Sequence, residues 1–154
     1  MSWIQEEVNA ELARRAEIRA FMMAYKKYIG ALTKSLNSDI EEFRALVPND
    51  KIEWLAPSPD ITQLNHDFGG LESAKALLSA DPIRKMFVLN FPLTPSCSQA
   101  IPAEVINGEF TLDYSKTAIR PATIGQYILT PVLFPAKASD PEMVRSLKPR
   151  FGKE

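Results

Sequence analysis

Apolar and polar residues in the first quarter of the chain alternate with the period of an α-helix. The apolar positions are separated by steps of four and three residues, which places them on one helix face: Ile18, Met22, Tyr25, Ile29, Leu32 and Leu36. Ser2 and Gln5 form a capping-box pattern that marks the start of this helix. The pattern therefore predicts one long amphipathic helix that ends near Leu36.

The apolar stripe is interrupted upstream of Ile18. Glu11 and Arg15 occupy its register there, and they are spaced to pair as i and i+4 neighbours. We interpret residues 3–14 as an exposed arm of the helix or as a segment that faces a partner. A coiled coil is the alternative, although three heptads are few for such a structure.

Two further helices are predicted in the N-terminal half of the chain. Asn37 and Ser38 predict a break, and Ser38 with Glu41 repeats the capping-box pattern before a short helix through about Val47. A third helix is predicted to stop at Asp81–Pro82. Its apolar face is formed by Leu71, Ala74, Leu77 and Leu78.

Strands are predicted where apolar and polar residues alternate, or where a short run is apolar throughout. Lys51–Leu55 alternates, and residues 61–65 are predicted to return beside it as a short extended piece. Met86–Phe91 is apolar at its centre, and a long final strand is predicted over residues 123–130.

Asn107–Gly108 predicts a tight hairpin between two further strands. Asn-Gly is the preferred pair for a two-residue type I′ turn, and such a turn fixes the register of the strands beside it. Val105 then faces Phe110 and Ala103 faces Leu112, so that apolar pairs share one face of the hairpin.

The predicted final strand is apolar on both faces. Ile124 and Ile128 lie on one face, and Tyr127 and Leu129 lie on the other. Because helices cover only one face of such a sheet, we expect the chain to form a homodimer through the outer face. In the alternative, the tail from Pro135 onward or the N-terminal arm covers that face.

Charge and cysteine content exclude several classes of function. The 18 Lys and Arg residues balance 19 Asp and Glu residues without a basic cluster, which argues against nucleic-acid binding. The single cysteine, Cys97, permits no internal disulfide and favours a cytoplasmic location. No apolar stretch approaches the roughly 20 residues that span a bilayer, and the acidic N-terminus lacks the pattern of a signal peptide. We therefore expect a soluble protein that does not bind membranes.

One histidine and one cysteine would leave a zinc site with mostly carboxylate ligands, and the chain has no glycine-rich phosphate loop. No metal and no cofactor is therefore expected. A length of 154 residues fits a single domain. We divide it into a helical arm (1–17), a core (18–135) and a tail (136–154), with at most one short helix near residues 142–147.

Four segments carry a resemblance to a known superfamily. They are Tyr28–Leu32, Ser38–Phe43, Asp50–Pro57 and Phe68–Ala74. Their order and spacing over roughly residues 18–135 resemble the nuclear transport factor 2-like superfamily, in particular its polyketide-cyclase-like and ketosteroid-isomerase-like branch. The resemblance implies an α+β cone, in which three helices pack on a strongly curved mixed or antiparallel sheet around an open apolar pocket.

The resemblance also implies a site within the cone. Related enzymes hold a carboxylate in the pocket as a general base, and the matching residue here is Asp60, although an aspartate between Pro59 and Ile61 is more often a turn residue. His66, next to Asp67, is the second candidate catalytic residue, although a loop histidine is commonly solvated. The candidate ligand-binding residues are Tyr28, Trp54 and Tyr127. We expect Tyr28, Trp54 and His66 to approach one cavity.

Two functions follow from these expectations. The first is a small-molecule-binding protein, whose enzymatic form would be an isomerase, cyclase or dehydratase that moves a proton on an apolar ligand by means of a pocket carboxylate or histidine. The second is a non-catalytic dimeric interaction or accessory module of the same fold. Two or more buried polar groups facing the pocket would favour the enzyme, whereas a filled interior would favour the module.

Overall fold

The structure, a computed structural model, describes residues 2–68, 73–114, 117–118 and 121–138. The helices are α1 (Trp3–Leu46), α2 (Pro121–Leu133) and α3 (Pro135–Ala138), with a 3-10 turn at Pro95–Cys97. The strands are β1 (Lys51–Ser58), β2 (Ile61–Asp67), β3 (Ser73–Asp81), β4 (Met86–Asn90), β5 (Gln99–Ile106), β6 (Glu109–Tyr114) and the two-residue β7 (Thr117–Ala118).

The strands form one antiparallel sheet in which each strand pairs with the next along the chain. The sheet curls into a half-barrel. Helix α2 packs against β2 and β3, and α1 packs against β1, β5, β6 and α2. The protein is therefore an α+β fold, and its core lies between the concave sheet and the two long helices. The core includes Leu64, Leu78, Phe87, Leu89, Ile101, Ile124 and Ile128, each 0–1% exposed.

The first helix is longer than the sequence predicted, and the predicted second helix is its last part. Helix α1 runs without interruption through Asn37 and Ser38, so the predicted break is wrong. Both residues are exposed, and the side chain of Asn37 accepts a hydrogen bond from Trp54 of β1. Leu36 and Ile40 continue the buried face of the helix. Continued burial of that face therefore outweighs the low helix propensity of Asn and Ser.

The predicted third helix is also wrong, because its described residues form strand β3. Ala74, Ala76 and Leu78 alternate with more exposed residues and are each 0–1% exposed. This period of two is hard to recognise in the sequence, because two of the three inward residues are alanines. In the described residues the N-terminal half therefore holds one helix, in place of the three expected for a cone.

The predicted final strand is helix α2. Its segment is largely apolar, and that pattern is typical of a buried helix as well as of a buried strand. Ile124, Ile128 and Val132 are each 0% exposed within the single chain. The premise for a dimer through the outer face of the sheet is therefore wrong, since these residues are covered internally. The homodimer itself stays a prediction.

Other elements agree with the sequence. The strands around residues 51–55, 61–65 and 86–91 are present, and the second pairs with the first. Val105 pairs with Phe110 and Ala103 with Leu112 across the hairpin, as predicted. The predicted helix near residues 142–147 lies outside the described residues. Among those described, no helix combines the length and apolar character needed to cross a membrane.

We expect alanine substitution at two glycines to change the free energy of unfolding in opposite directions. Gly108 has a φ of +78° in the hairpin turn, which alanine adopts at a cost of roughly 1–2 kcal/mol. Gly30 is exposed within α1, and an added Cβ there would meet no atom within 4 Å apart from its chain neighbours and the backbone of its own helix. Because alanine favours the helix by about 1 kcal/mol over glycine, we expect Gly108→Ala to lower and Gly30→Ala to raise the free energy of unfolding. Urea denaturation followed by circular dichroism measures both changes, and the same sign for the two would contradict this account of the turn.

Candidate functional site

His66 forms the most enclosed polar arrangement in the described structure. It lies on β2, is 0% exposed, and uses both ring nitrogens. Nδ1 lies 2.7 Å from the carbonyl oxygen of Val132 near the end of α2. Nε2 lies 2.8 Å from Oδ2 of Asp50, which is held in the turn between α1 and β1. His66 therefore connects the sheet to α2 and to the segment that follows α1.

These two hydrogen bonds fix the number of protons on the pair. A carbonyl oxygen only accepts, so Nδ1 of His66 carries a proton that it donates to Val132. If Nε2 also carries a proton, it donates to an ionised Asp50; otherwise a protonated Asp50 donates to Nε2. In either form one proton is shared between Nε2 and Oδ2. The pair is therefore either an imidazolium with a carboxylate or a neutral imidazole with a carboxylic acid.

Aromatic rings close the remaining sides of His66. The centroid of its ring lies 5.3 Å from that of Phe43 on α1 and 4.2 Å from that of Phe68. Phe43 also contacts Phe134 at a centroid distance of 5.7 Å. A general base must come within hydrogen-bond distance of its substrate. The enclosed ring of His66 has its two nitrogens already engaged, so its geometry is that of a structural tie.

The acid that binds His66 is not its neighbour in sequence. Asp67 follows His66, but the carboxylate at hydrogen-bond distance belongs to Asp50, sixteen residues earlier. No spacing rule in the sequence would have identified Asp50 or the carbonyl group of Val132. The turn residues Pro48–Asn49–Asp50 were the one available signal, and they indicate only a change of direction.

The other candidate catalytic residue, Asp60, lies in a different environment. It is exposed in the two-residue turn that joins β1 to β2. This is the position of a turn residue, as the sequence also allowed. Trp54 lies on β1 and is half-buried, and its Nε1 donates a hydrogen bond of 2.8 Å to Oδ1 of Asn37 on α1. Trp54 therefore helps to fasten α1 to the first strand.

The two candidate tyrosines occupy separate parts of the core. Tyr28 packs against Phe87 and Phe110, with centroid distances of 5.8 and 5.1 Å. Tyr127 on α2 is buried, and its hydroxyl donates a hydrogen bond of 2.6 Å to the carbonyl oxygen of Cys97. That bond ties α2 to the 3-10 turn and accounts for the burial of a polar ring.

The expected common cavity for Tyr28, Trp54 and His66 is wrong. Trp54 lines a shallow depression of about 430 Å³ between α1 and β1, and Tyr28 lines another of about 120 Å³ beside Phe110. His66 lines neither depression. The three residues face different neighbours and do not form one site.

Burial determines the acid–base behaviour of two neighbouring tyrosines. Burial raises the pKa of Tyr25 well above its usual range, and Tyr28 and Asp60 nearby raise it further. Burial likewise raises the pKa of Tyr28. The hydroxyl of Tyr25 has no hydrogen-bond partner among the described residues. Both phenols are therefore neutral at physiological pH and are unsuited to act as bases.

A third and larger depression is a groove of about 830 Å³ between the last third of α1 and α2. Its apolar residues are Leu36, Phe43, Leu46, Leu129, Leu133 and Phe134, and its polar residues are Ser35, Ser38, Asp39, Glu42, Gln126 and Thr130, with Gly125 completing the lining. In the described part of the chain no group of three His, Cys, Asp or Glu side chains is placed to hold a metal. The groove thus offers an apolar floor and an acidic rim.

We expect the His66 tie to respond differently to two substitutions of Asp50. Asp50→Ala leaves the buried Nε2 without a partner, and this should lower the free energy of unfolding by about 1–3 kcal/mol. Asp50→Asn can donate an amide hydrogen to an unprotonated Nε2 and should cost less than about 1 kcal/mol. Asp60→Ala, on an exposed turn, is the control and should change stability by less than about 0.5 kcal/mol. Equal losses for Asp50→Ala and Asp60→Ala in urea denaturation would show that the tie contributes nothing.

No family model, curated protein or solved structure matches the chain. Membership of the nuclear transport factor 2-like superfamily therefore stays a prediction. Two of the four segments that carried the resemblance form other elements than it implied: Ser38–Phe43 continues α1, and the described end of Phe68–Ala74 enters a strand.

Proposed function

We propose that the protein is a non-catalytic interaction module that binds another polypeptide through residues 3–17 of α1, here called the arm. The observation that carries the proposal is an exposed apolar stripe on this arm. Ile4, Val8 and Leu12 recur every four residues and are 55%, 49% and 55% exposed. Residues four apart lie on the same side of a helix, so the three side chains form one surface.

The arm extends beyond the packed part of the molecule. Every residue from Ser2 to Glu17 is exposed except Glu11, which is intermediate, and the first buried residue of α1 is Phe21. At 1.5 Å per residue, residues 3–17 extend roughly 22 Å. A helix of this length is marginal in water on its own. Here it continues a helix whose later turns are held by the core.

Local interactions also stabilise the arm as a helix. The Ser2 hydroxyl accepts a hydrogen bond of 3.2 Å from the backbone N–H of Gln5, and the Gln5 side chain accepts one from the backbone N–H of Ser2. Arg14 and Arg15 both pair with Glu11, and they hold the pKa of Glu11 below its usual value. The apolar stripe is therefore presented on an ordered surface.

The interior of the protein supports an interaction module over an enzyme. The space between α2 and the sheet is filled by apolar side chains such as Leu64, Leu78 and Ile128. His66 is enclosed, and Asp60 lies on an exposed turn. An active site needs polar groups that converge on an accessible substrate, and these two candidates do not converge. A filled interior is the feature expected of the module.

Site-specific photo-crosslinking tests this proposal. We expect a photoreactive amino acid at Val8, on the stripe, to form a discrete covalent adduct with another polypeptide on irradiation in cells that express the protein. The same residue at Ala10 is the control, because Ala10 is exposed on the opposite side of the arm. The absence of an adduct at Val8, or equal adducts at Val8 and Ala10, would refute the proposal.

A second candidate function is the binding of an apolar small molecule in the groove between α1 and α2. Its volume of about 830 Å³ lies within the range of small-molecule sites, and its floor is apolar. This candidate keeps the apolar ligand expected from the superfamily resemblance and places it between two helices. It assigns no catalytic step, because the groove is not lined by His66 or Asp60.

A groove-filling substitution tests the second candidate. We expect the neutral fluorescent probe N-phenyl-1-naphthylamine to bind with increased fluorescence, and Ser35→Trp to reduce this binding at least about tenfold by filling the groove. Ala45→Trp is the matched control, since Ala45 is exposed on the same helix and does not line the groove. Binding that is equal in the two variants, or absent from the unmodified protein, would exclude this function.

A further inference from the structure

We infer that the arm binds the arm of a second copy of this chain, with the two helices antiparallel. The inference rests on the proposed function, because it requires the arm to be a binding surface. It adds the identity of the partner and the direction of the pairing. Both are argued from the distribution of charge along the arm.

The charges of the arm are separated along its length. Glu6, Glu7 and Glu11 are the charged side chains between Ser2 and Ala13, and Arg14 and Arg15 follow. Glu17, the last charged residue of the arm, lies nine residues from Val8 and therefore on the opposite side of the helix from the stripe. A parallel pair would place each carboxylate beside its own copy, and like charges in contact are unfavourable. An antiparallel pair places the acidic half of each arm beside the basic end of the other. The charge pattern thus complements itself in one direction only.

The apolar stripe fits the same direction. An antiparallel crossing centred near Leu12 places Leu12 of the two copies beside each other at the two-fold axis, with Val8 next to them in the seam. At this alignment Glu7 is level with Glu17 of the partner subunit, which points away from the stripe, and it lies within one helical turn of Arg15 of the partner subunit on the side of the stripe. Two-fold symmetry repeats the pair of Glu7 and Arg15. Glu11, which falls near the axis, already has two arginine partners within its own chain.

The groove between α1 and α2 is a poorer partner for the arm. It also has an apolar floor, but its charged residues are Asp39 and Glu42, both exposed. The stripe residues Ile4 and Val8 lie next to Glu6 and Glu7, so docking the arm there would bring like charges together. The arm of a second copy is therefore the better electrostatic match.

The size of the surface predicts the strength of the dimer. Two arms of roughly 22 Å in contact along one face bury on the order of 1,000 Å² in total. This is at the low end of specific interfaces. We therefore expect dissociation constants in the micromolar range, with monomer and dimer in exchange.

Analytical ultracentrifugation of the full chain from about 5 to about 500 µM tests the inference over the range that brackets micromolar affinity. We expect a monomer–dimer equilibrium that Val8→Ser with Leu12→Ser abolishes. Ala10→Ser with Ala13→Ser also introduces two serines, but on the opposite side of the arm, and should leave the equilibrium unaltered. Circular dichroism of each variant confirms that the helix persists. A wild-type protein that is monomeric throughout, or a dimer that survives loss of the stripe, would overturn the inference.

Charge reversal tests the direction. Glu7→Lys should weaken the dimer roughly tenfold, because two attractive pairs become repulsive. Adding Arg15→Glu to the same chain should restore it, since the introduced lysine of one copy would then face the introduced glutamate of the other across the antiparallel seam. In a parallel dimer, Glu7→Lys replaces one like-charge pair by another and the second change gives no rescue, which would overturn the antiparallel arrangement. If the protein is monomeric but the Val8 adduct contains a different polypeptide, this inference fails while the proposed function holds.

Discussion

The burial of α2 is the constraint on which the rest of the fold depends. This helix is largely apolar, and among its residues 124–133 only Gln126 is exposed. The concave sheet covers one side through β2 and β3, and α1 covers another. The approach of the two helices is close: a Cβ on Gly125 of α2 would lie 3.0 Å from Cδ2 of Leu36 on α1. The curl of the sheet, the position of α1 and the small residue at the contact all follow from enclosing one helix.

The burial of α2 also leaves a backbone carbonyl group that needs a hydrogen-bond donor, and His66 provides it. The backbone carbonyl groups in the last turn of a helix lack partners within the helix. Near the end of α2 the carbonyl group of Val132 receives a hydrogen bond from the buried ring of His66. The second nitrogen of that ring then needs a partner of its own, and Asp50 provides it. A histidine that would suggest catalysis in the sequence is thus explained by the need to satisfy a buried helix end.

The sequence predicts the parts of this fold that depend on local chemistry. The Asn107–Gly108 turn and the apolar pairs beside it are in the predicted register, because turn conformation and side-chain alternation agree there. The capping box at Ser2 and Gln5 is likewise present. The α+β class and the strands from Lys51 to Asn90 that flank β3 also follow from pattern alone.

The errors occur where long-range packing decides the structure. Alanines at positions 74 and 76 hide the alternation of β3, and an apolar segment around Ile128 fits a buried strand as well as a buried helix. The candidate site failed for a related reason. His66 was identified, but its partners lie sixteen residues before it and sixty-six residues after it. Such contacts exist only once α2 has been placed inside the sheet, and no local pattern encodes them.

The two ends of α1 are held very differently, and this difference bears on how the protein works. Toward its C-terminus the helix is fastened to β1 by two hydrogen bonds: Asn37 accepts one from Trp54, and Arg44 donates one to the carbonyl oxygen of Ile52. Toward its N-terminus it continues beyond Phe21 as a capped, ion-paired helix with its apolar stripe in water. Exposed apolar surface of this kind lowers solubility unless a partner covers it. Because the C-terminal end of α1 is fixed to the body, the projecting N-terminal end presents its binding surface at a fixed angle. This reduces the entropy lost on association.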